Sequence, residues 1–118
     1  MPEQTDPFGK GVKMSTTITI SDKIAHHLNR LPGNGSTIEV KFSVLIEGEY
    51  RRRLARYRLT DANLSRKYGM SFAEFEEQRV TEREGYSWEV EQDAIAWETA
   101  VDGIATVERQ LRDLQTGT

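Results

Sequence analysis

The sequence predicts a small α+β protein, in which two short β-strands near the amino terminus precede a helical carboxyl-terminal half. The first predicted strand covers about 15–20, where the β-branched run STTITI alternates along the chain. The second covers about 37–46, where every other residue is apolar: Ile38, Val40, Phe42, Val44 and Ile46. The third observation is a long amphipathic final helix from Ser87 to Gln115, whose apolar residues recur at alternating spacings of four and three.

A chain of 118 residues suits one domain. Residues 1–13 contain prolines and glycines but few large apolar groups, which predicts a flexible leader before a single domain at 14–118. The absence of cysteine excludes disulfides, thiolate zinc sites and iron–sulfur clusters. No apolar run approaches the roughly 20 residues of a membrane helix, and the first residues lack the apolar core of a secretory signal. We therefore expect a cytoplasmic protein without a membrane partner.

Capping signals divide the chain into helices. Ser21 or Asp22 is expected to begin a first helix that runs to about Leu31, before a turn at 32–35. Apolar residues return to helical spacing after Gly48, and Thr60-Asp61 can cap a new helix within this region. We therefore expect two helices, at about 49–59 and 61–68, or one bent helix. Gly69 ends this region.

The helical tail at about 70–115 begins with a second set of capping signals. Ser71 and Glu74 have the spacing of a capping box for a short helix. After a polar break at 81–85, Ser87 can cap the final helix. We interpret this tail as the partner-binding part of the domain.

The net charge of −3 conceals a segregation along the chain. The middle is basic and the carboxyl-terminal part is strongly acidic, which suits either contact between the two parts or separate partners for each. A nucleic-acid contact would use the concentrated arginines of segment 51–58, whereas the alternative is solvated or internally paired guanidinium groups. These arginines are Arg51, Arg52, Arg53, Arg56 and Arg58.

Large aromatic residues mark the tail as a binding surface, because Trp and Tyr remove much apolar area with little loss of rotamer entropy. Trp97 lies on the main apolar stripe, so an intramolecular core or a self-dimer seam is an alternative to a foreign partner there. Trp88, beside Tyr86, is open to either interpretation. The predicted partner-binding residues are Tyr86, Trp88, Trp97, Val101 and Ile104.

No motif indicates catalysis. His26 and His27 are adjacent, so their side chains point about 100° apart on a helix and cannot easily share a metal ion. Gly33-Asn34-Gly35 lacks the lysine and hydroxyl residue of a phosphate-binding loop. We expect no enzyme activity, no cofactor and no metal site.

The block KYGMSFAEFEEQRVTEREGYSWEVEQDAIAWETAVDGIATVERQL resembles a tail found on small bacterial proteins, including cyanobacterial ones. Its shared elements are YGMS-x-x-E-F at Tyr68 to Phe75 and a later acidic helix with Trp97-Glu98. Some proteins with similar tails are described as antitoxin-like components of toxin–antitoxin systems. The resemblance implies carboxyl-terminal helices that neutralise a toxin, here a basic protein, and an amino-terminal dimerising module that binds DNA.

The amino-terminal part is similar to the opening of ribbon-helix-helix antitoxins, which is a strand followed by two helices. Segments 16–20 and 22–31 match its first two elements, whereas the second helix would fall at 37–46, where alternation predicts a strand. We expect a homodimer joined through the strand region or the final helix. The predicted function is a non-enzymatic protein-interaction module, antitoxin-like, whose acidic C-terminal helix engages a basic protein or a second copy. The alternative is a nucleic-acid-binding transcriptional regulator that uses segment 51–58.

Overall fold

A computed structural model describes residues 14–33 and 37–116 of the chain. Within these ranges the protein is built from α1 (Asp22–Asn29), α2 (Ile38–Tyr68), α3 (Phe72–Glu77), α4 (Val80–Arg83) and α5 (Trp88–Thr116). The predicted flexible leader at 1–13 lies outside the described residues. The expected turn at 32–35 is described only in part.

The predicted α+β class is wrong, because no described residue lies in a β-strand. Residues 15–20 are without regular structure, and residues 38–46 are the first turns of α2. Two short segments form a marginal ribbon at best, whereas a helix satisfies its backbone hydrogen bonds within one segment.

The start of α2 shows why helix prevails over the alternating pattern. The Thr37 hydroxyl accepts a hydrogen bond from the Val40 backbone N–H at 3.1 Å and caps the helix. Glu39, Ser43 and Glu47 are spaced four apart, so they form one polar stripe along it. The pattern of these residues is therefore compatible with both a β-strand and an α-helix, and the structure has the helix.

The expected break at Thr60-Asp61 is also absent, because both residues lie within α2, which is one continuous helix of 31 residues. The Thr60 hydroxyl donates to the Arg56 carbonyl oxygen at 3.2 Å, one turn earlier in the same helix. Asp61 accepts a hydrogen bond from Trp97 on α5. Neither side chain therefore caps a helix start: Thr60 forms a hydrogen bond within α2, and Asp61 forms one with α5.

Helices α2 and α5 pack along each other as a hairpin that holds most of the core. The inward stripe of α2 steps by four and three through Tyr50, Leu54, Tyr57, Asp61, Leu64 and Tyr68. The stripe of α5 has the same spacing, from Val90 to Leu111. This is the geometry of coiled-coil-like packing. Much of the long predicted stripe is thus covered within the chain.

The α3–α4 corner joins the two long helices. Gly69 ends α2 with φ 68°, which confirms its predicted role. The predicted capping box is present, with the Ser71 hydroxyl accepting from the Glu74 N–H and the Glu74 carboxylate accepting from the Ser71 N–H. The Ser87 hydroxyl accepts from the Val90 N–H at 3.3 Å, at the start of α5.

Helix α1 lies against the start of α2 and contributes one buried apolar side chain, Leu28. Lys41 is also buried, and its ammonium group donates to the carbonyl oxygens of Leu31 (3.0 Å) and Gly33 (3.4 Å). A cation at these carbonyls satisfies acceptors beyond the carboxyl end of α1. The amino-terminal part therefore has a small core of its own.

Candidate protein-interaction site

The two tryptophans have opposite environments. Trp97 is fully buried, and its Nε1 donates to the Asp61 carboxylate at 2.8 Å. It stacks on Tyr68 with ring centroids 5.8 Å apart and also contacts Phe72 and Phe75. Trp97 is thus a core residue whose one polar atom is satisfied by α2.

Val101 and Ile104 are half-buried and pack against the two apolar clusters of the hairpin, Val101 near Trp97 and Ile104 near Leu54. In contrast, Tyr86 is 58% exposed and Trp88 is 75% exposed. The structure therefore places the five predicted partner-binding residues in two settings. Tyr86 and Trp88 are on the surface at the start of α5, and the other three face the interior of the hairpin.

A groove lies beside Tyr86 at the α3–α4 corner, with a volume of about 410 Å³. Its apolar lining comes from three helices, through Phe75 on α3, Val80 on α4 and Ala94 on α5. Polar side chains complete the lining: Glu76, Arg79, Thr81 and Glu82. Concave apolar surface with exposed aromatic residues nearby is typical of a docking site for a side chain.

Backbone strain surrounds this groove, and sequence reasoning missed it. Arg79 (φ 52°) and Tyr86 (φ 57°) adopt the left-handed conformation on either side of α4. The Tyr86 N–H donates to the Thr81 carbonyl oxygen at 2.9 Å, which fixes this turn. The polar break TEREG was the available signal, but it indicates a turn without indicating where the strained residues lie.

The surroundings of the groove are acidic. Glu82 pairs with Arg79 at 3.5 Å, and Glu89 pairs with Lys67 at 2.6 Å. Several further carboxylates at this end form no ion pair among the residues that the structure describes: Glu76, Glu77, Glu84 and Glu91. The local field therefore favours a cationic partner.

A polar network ties this acidic end to α2. Asp93 accepts hydrogen bonds from the Lys67 ammonium group and the Tyr68 hydroxyl, both at 2.6 Å. Burial and the hydrogen bond to Asp93 raise the pKa of Tyr68 to about 12. Burial alone raises the pKa of Asp93, but the hydrogen bonds from Lys67 and Tyr68 outweigh it, so the net pKa is lowered. This network orients α5 against α2 near the groove.

The five predicted nucleic-acid-binding arginines all lie on the exposed surface of α2. Four are paired: Arg51 with Glu47, Arg52 and Arg53 with Glu49, and Arg58 with Glu108 of α5 at 2.7 Å. Hydrogen bonds from Arg53 and Arg52 lower the pKa of Glu49. Within the described ranges Arg56 has no carboxylate partner. The acidic neighbours partly neutralise this surface.

Other predicted features have simple placements. His26 and His27 are exposed on α1, with ring centroids 5.6 Å apart, and no group of three or more potential metal ligands occurs in the described ranges. None of the described helices combines the length and apolar character needed to cross a membrane.

No protein-family model matches the chain, and comparison with curated proteins and with solved structures finds no match either.

Proposed function

We propose that this protein is a cytoplasmic, non-enzymatic interaction module, antitoxin-like, that binds a basic protein partner at the exposed aromatic end of α5. The observation that carries the proposal is Trp88, whose side chain is three-quarters exposed two residues after Tyr86, which itself lines the groove. A tryptophan left in water offers a large apolar area to a partner, and such residues dominate interface energies.

The charge of the site supports a basic partner. Glu76 lines the groove and forms no ion pair among the described residues, and Glu77, Glu84 and Glu91 are near it in sequence. These carboxylates would attract lysine and arginine side chains of a partner during encounter. Apolar contact with Trp88 and Tyr86 would then supply most of the lasting affinity. The resemblance of segment 67–111 to tails of antitoxin-like proteins points to the same class of partner, a basic toxin.

Co-purification from the native cells tests this proposal. Tagged wild-type protein should retain a stoichiometric basic protein after nuclease treatment, and the Trp88→Ala variant should lose it. Leu59→Ala is the matched control, since Leu59 is an exposed apolar residue on α2 away from the groove. Equal retention of the basic protein by the wild type and Trp88→Ala would contradict the proposed site.

The alternative function is a nucleic-acid-binding transcriptional regulator that uses Arg51, Arg52, Arg53, Arg56 and Arg58. The finding that favours it is the start of α2 at Ile38, because 14–20 is now followed by two helices. The second helix of the ribbon-helix-helix opening is therefore present, whereas its first element, the strand at 16–20, is not. All five guanidinium-bearing residues are also exposed.

Salt dependence and charge reversal distinguish the alternative. If segment 51–58 binds phosphates, native-cell nucleic acid should co-purify with the protein, dissociate steeply as salt is raised, and be lost from an Arg52→Glu, Arg56→Glu double variant. Trp88→Ala should leave it bound. Nucleic acid that remains on the double variant would exclude this segment as the contact.

A further inference from the structure

Exposed apolar side chains are concentrated at the amino-terminal end of the described chain, far from the groove in sequence. Thirteen large hydrophobic residues are exposed among those that the structure describes, and nine of them lie between Met14 and Ile46. Five of them are on the first turns of α2: Ile38, Val40, Val44, Leu45 and Ile46. This surface is too apolar to be an ordinary solvated helix face.

The arrangement around α2 supports this conclusion. With 100° between successive residues, the polar stripe of Glu39, Ser43 and Glu47 occupies about a third of the circumference. Apolar residues and the buried Lys41 occupy the remainder. A helix that is apolar on most sides is normally buried, yet Lys41 is the one buried residue between positions 38 and 46.

We propose that this apolar surface of α1, α2 and the preceding segment is the interface at which two copies of the chain associate. The nine side chains leave on the order of 700 Å² in water, and one partner in a standard interface buries about 800 Å². The largest apolar patch on a typical monomer is about 300–600 Å². The summed exposed area of these side chains is therefore comparable to what one partner buries in a stable dimer.

Charge and backbone both favour a second copy as the occupant. The charges of the described residues from 14 to 46 nearly balance, so identical surfaces do not repel: Asp22 and Glu39 against Lys23, Arg30 and Lys41. The backbone of 15–20 takes part in no hydrogen bond among the described residues. The backbone groups of this segment are therefore available for contact with a second copy.

This inference does not depend on the partner proposed for Trp88. Trp88 begins α5 just after α4, whereas the apolar surface is at the first turns of α2. Loss of the dimer and loss of the basic partner are measured separately. A variant that removes one interaction is expected to keep the other.

Light scattering on the full chain tests the proposal. The wild type should have twice the 13.5 kDa chain mass. Val44→Asp should weaken association at least 100-fold, because it places a charge within the apolar surface. Ile95→Asp is the matched control, since Val44 (61%) and Ile95 (59%) are equally exposed on their helices, and it should remain dimeric. A monomeric wild type, or an unchanged Val44→Asp dimer, would overturn the proposal.

A crosslinking measurement covers the case in which Val44→Asp fails to fold. The chain has no cysteine, so Ile46→Cys and Ile95→Cys each introduce a single reactive thiol. A short bis-maleimide should crosslink two copies through position 46 far more than through position 95. Equal crosslinking through the two positions, or none through position 46, would contradict the interface.

Discussion

Two tryptophans nine residues apart illustrate how burial decides the role of a residue. Trp97 is enclosed by aromatic rings and gives its indole N–H to Asp61, whereas Trp88 is surrounded mainly by solvent. Sequence spacing placed Trp97 on the apolar stripe, but both residues were predicted partner contacts. Only the structure shows that Asp61, about two turns before the end of α2, completes the Trp97 environment.

Alanine substitution should separate the two roles. Trp97→Ala should lower the free energy of unfolding by about 3–5 kcal/mol, because it leaves a cavity and an unpaired Asp61 carboxylate. Trp88→Ala should change it by less than about 0.5 kcal/mol, since the side chain is largely in water. Urea titrations followed by circular dichroism measure both. A large loss of stability in Trp88→Ala would mean that Trp88 belongs to the core.

Two helical glycines allow a second residue-level comparison. A Cβ at Gly103 would lie 2.6 Å from Cδ2 of the half-buried Tyr57 ring, so the close approach of α2 and α5 requires glycine there. At Gly48 the nearest side-chain atom is Nη1 of the exposed Arg52, at 3.5 Å.

Gly103→Ala should therefore destabilise the protein by about 1–3 kcal/mol through overpacking. Gly48→Ala should stabilise it by about 0.5–1 kcal/mol, because alanine has the higher helix propensity. Thermal or urea unfolding of the two variants measures the difference. Stabilisation by Gly103→Ala would show that the Tyr57 ring moves without cost.

At the level of elements, local signals predicted helix ends better than the class of each segment. The caps at Ser21, Ser71 and Ser87 were identifiable because one side chain meets one backbone N–H within three residues. The four-three spacing predicted the amphipathic final helix, but the hairpin that it forms with α2 was not predicted. The segment 38–46 satisfied both a strand and a helix pattern, and the choice depends on backbone partners that a sequence does not display.

The candidate site was predictable only in part for a related reason. Aromatic composition pointed to Tyr86 and Trp88, but the groove arises where α3, α4 and α5 converge. Likewise, Arg58 and Glu108 are 50 residues apart and form an ion pair at 2.7 Å. This pair explains why a glutamate occupies one position of the otherwise apolar α5 stripe, between Ile104 and Leu111. Such contacts depend on the register of two long helices, which spacing within either helix does not determine.

The Tyr68 link between α2 and α5 predicts a dependence of stability on alkaline pH. The pKa of Tyr68 rises from 10.0 to about 12 on folding, so the folded state retains the phenol proton more strongly. This contribution is complete below pH 10 and is lost as the pH rises towards 12. It is on the order of 1–2 kcal/mol, allowing for partial exposure.

Unfolding free energies across this pH range test the link. The free energy of unfolding of Tyr68→Phe should fall less steeply with pH than that of the wild type. Tyr86→Phe, which changes an exposed tyrosine, should keep the wild-type slope. Equal slopes for Tyr68→Phe and the wild type would show that burial and the hydrogen bond to Asp93 do not raise the pKa of Tyr68.

At the scale of the whole molecule, the chain is elongated. Its radius of gyration is 20.7 Å, whereas a compact domain of this length has about 13.5 Å. The core is confined to the α2–α5 hairpin and its corner, and the amino-terminal end buries little besides Leu28 and Lys41. An end with so little core of its own is expected to be stabilised by association.

Hydrogen exchange of the full chain at several protein concentrations tests most directly the claim that the amino-terminal end is completed by a second copy. We predict that amide protection in 38–46 rises with concentration, while protection around Trp97 stays constant because the hairpin is complete within one chain. Protection in 38–46 that is independent of concentration under conditions where the monomer dominates would contradict the account.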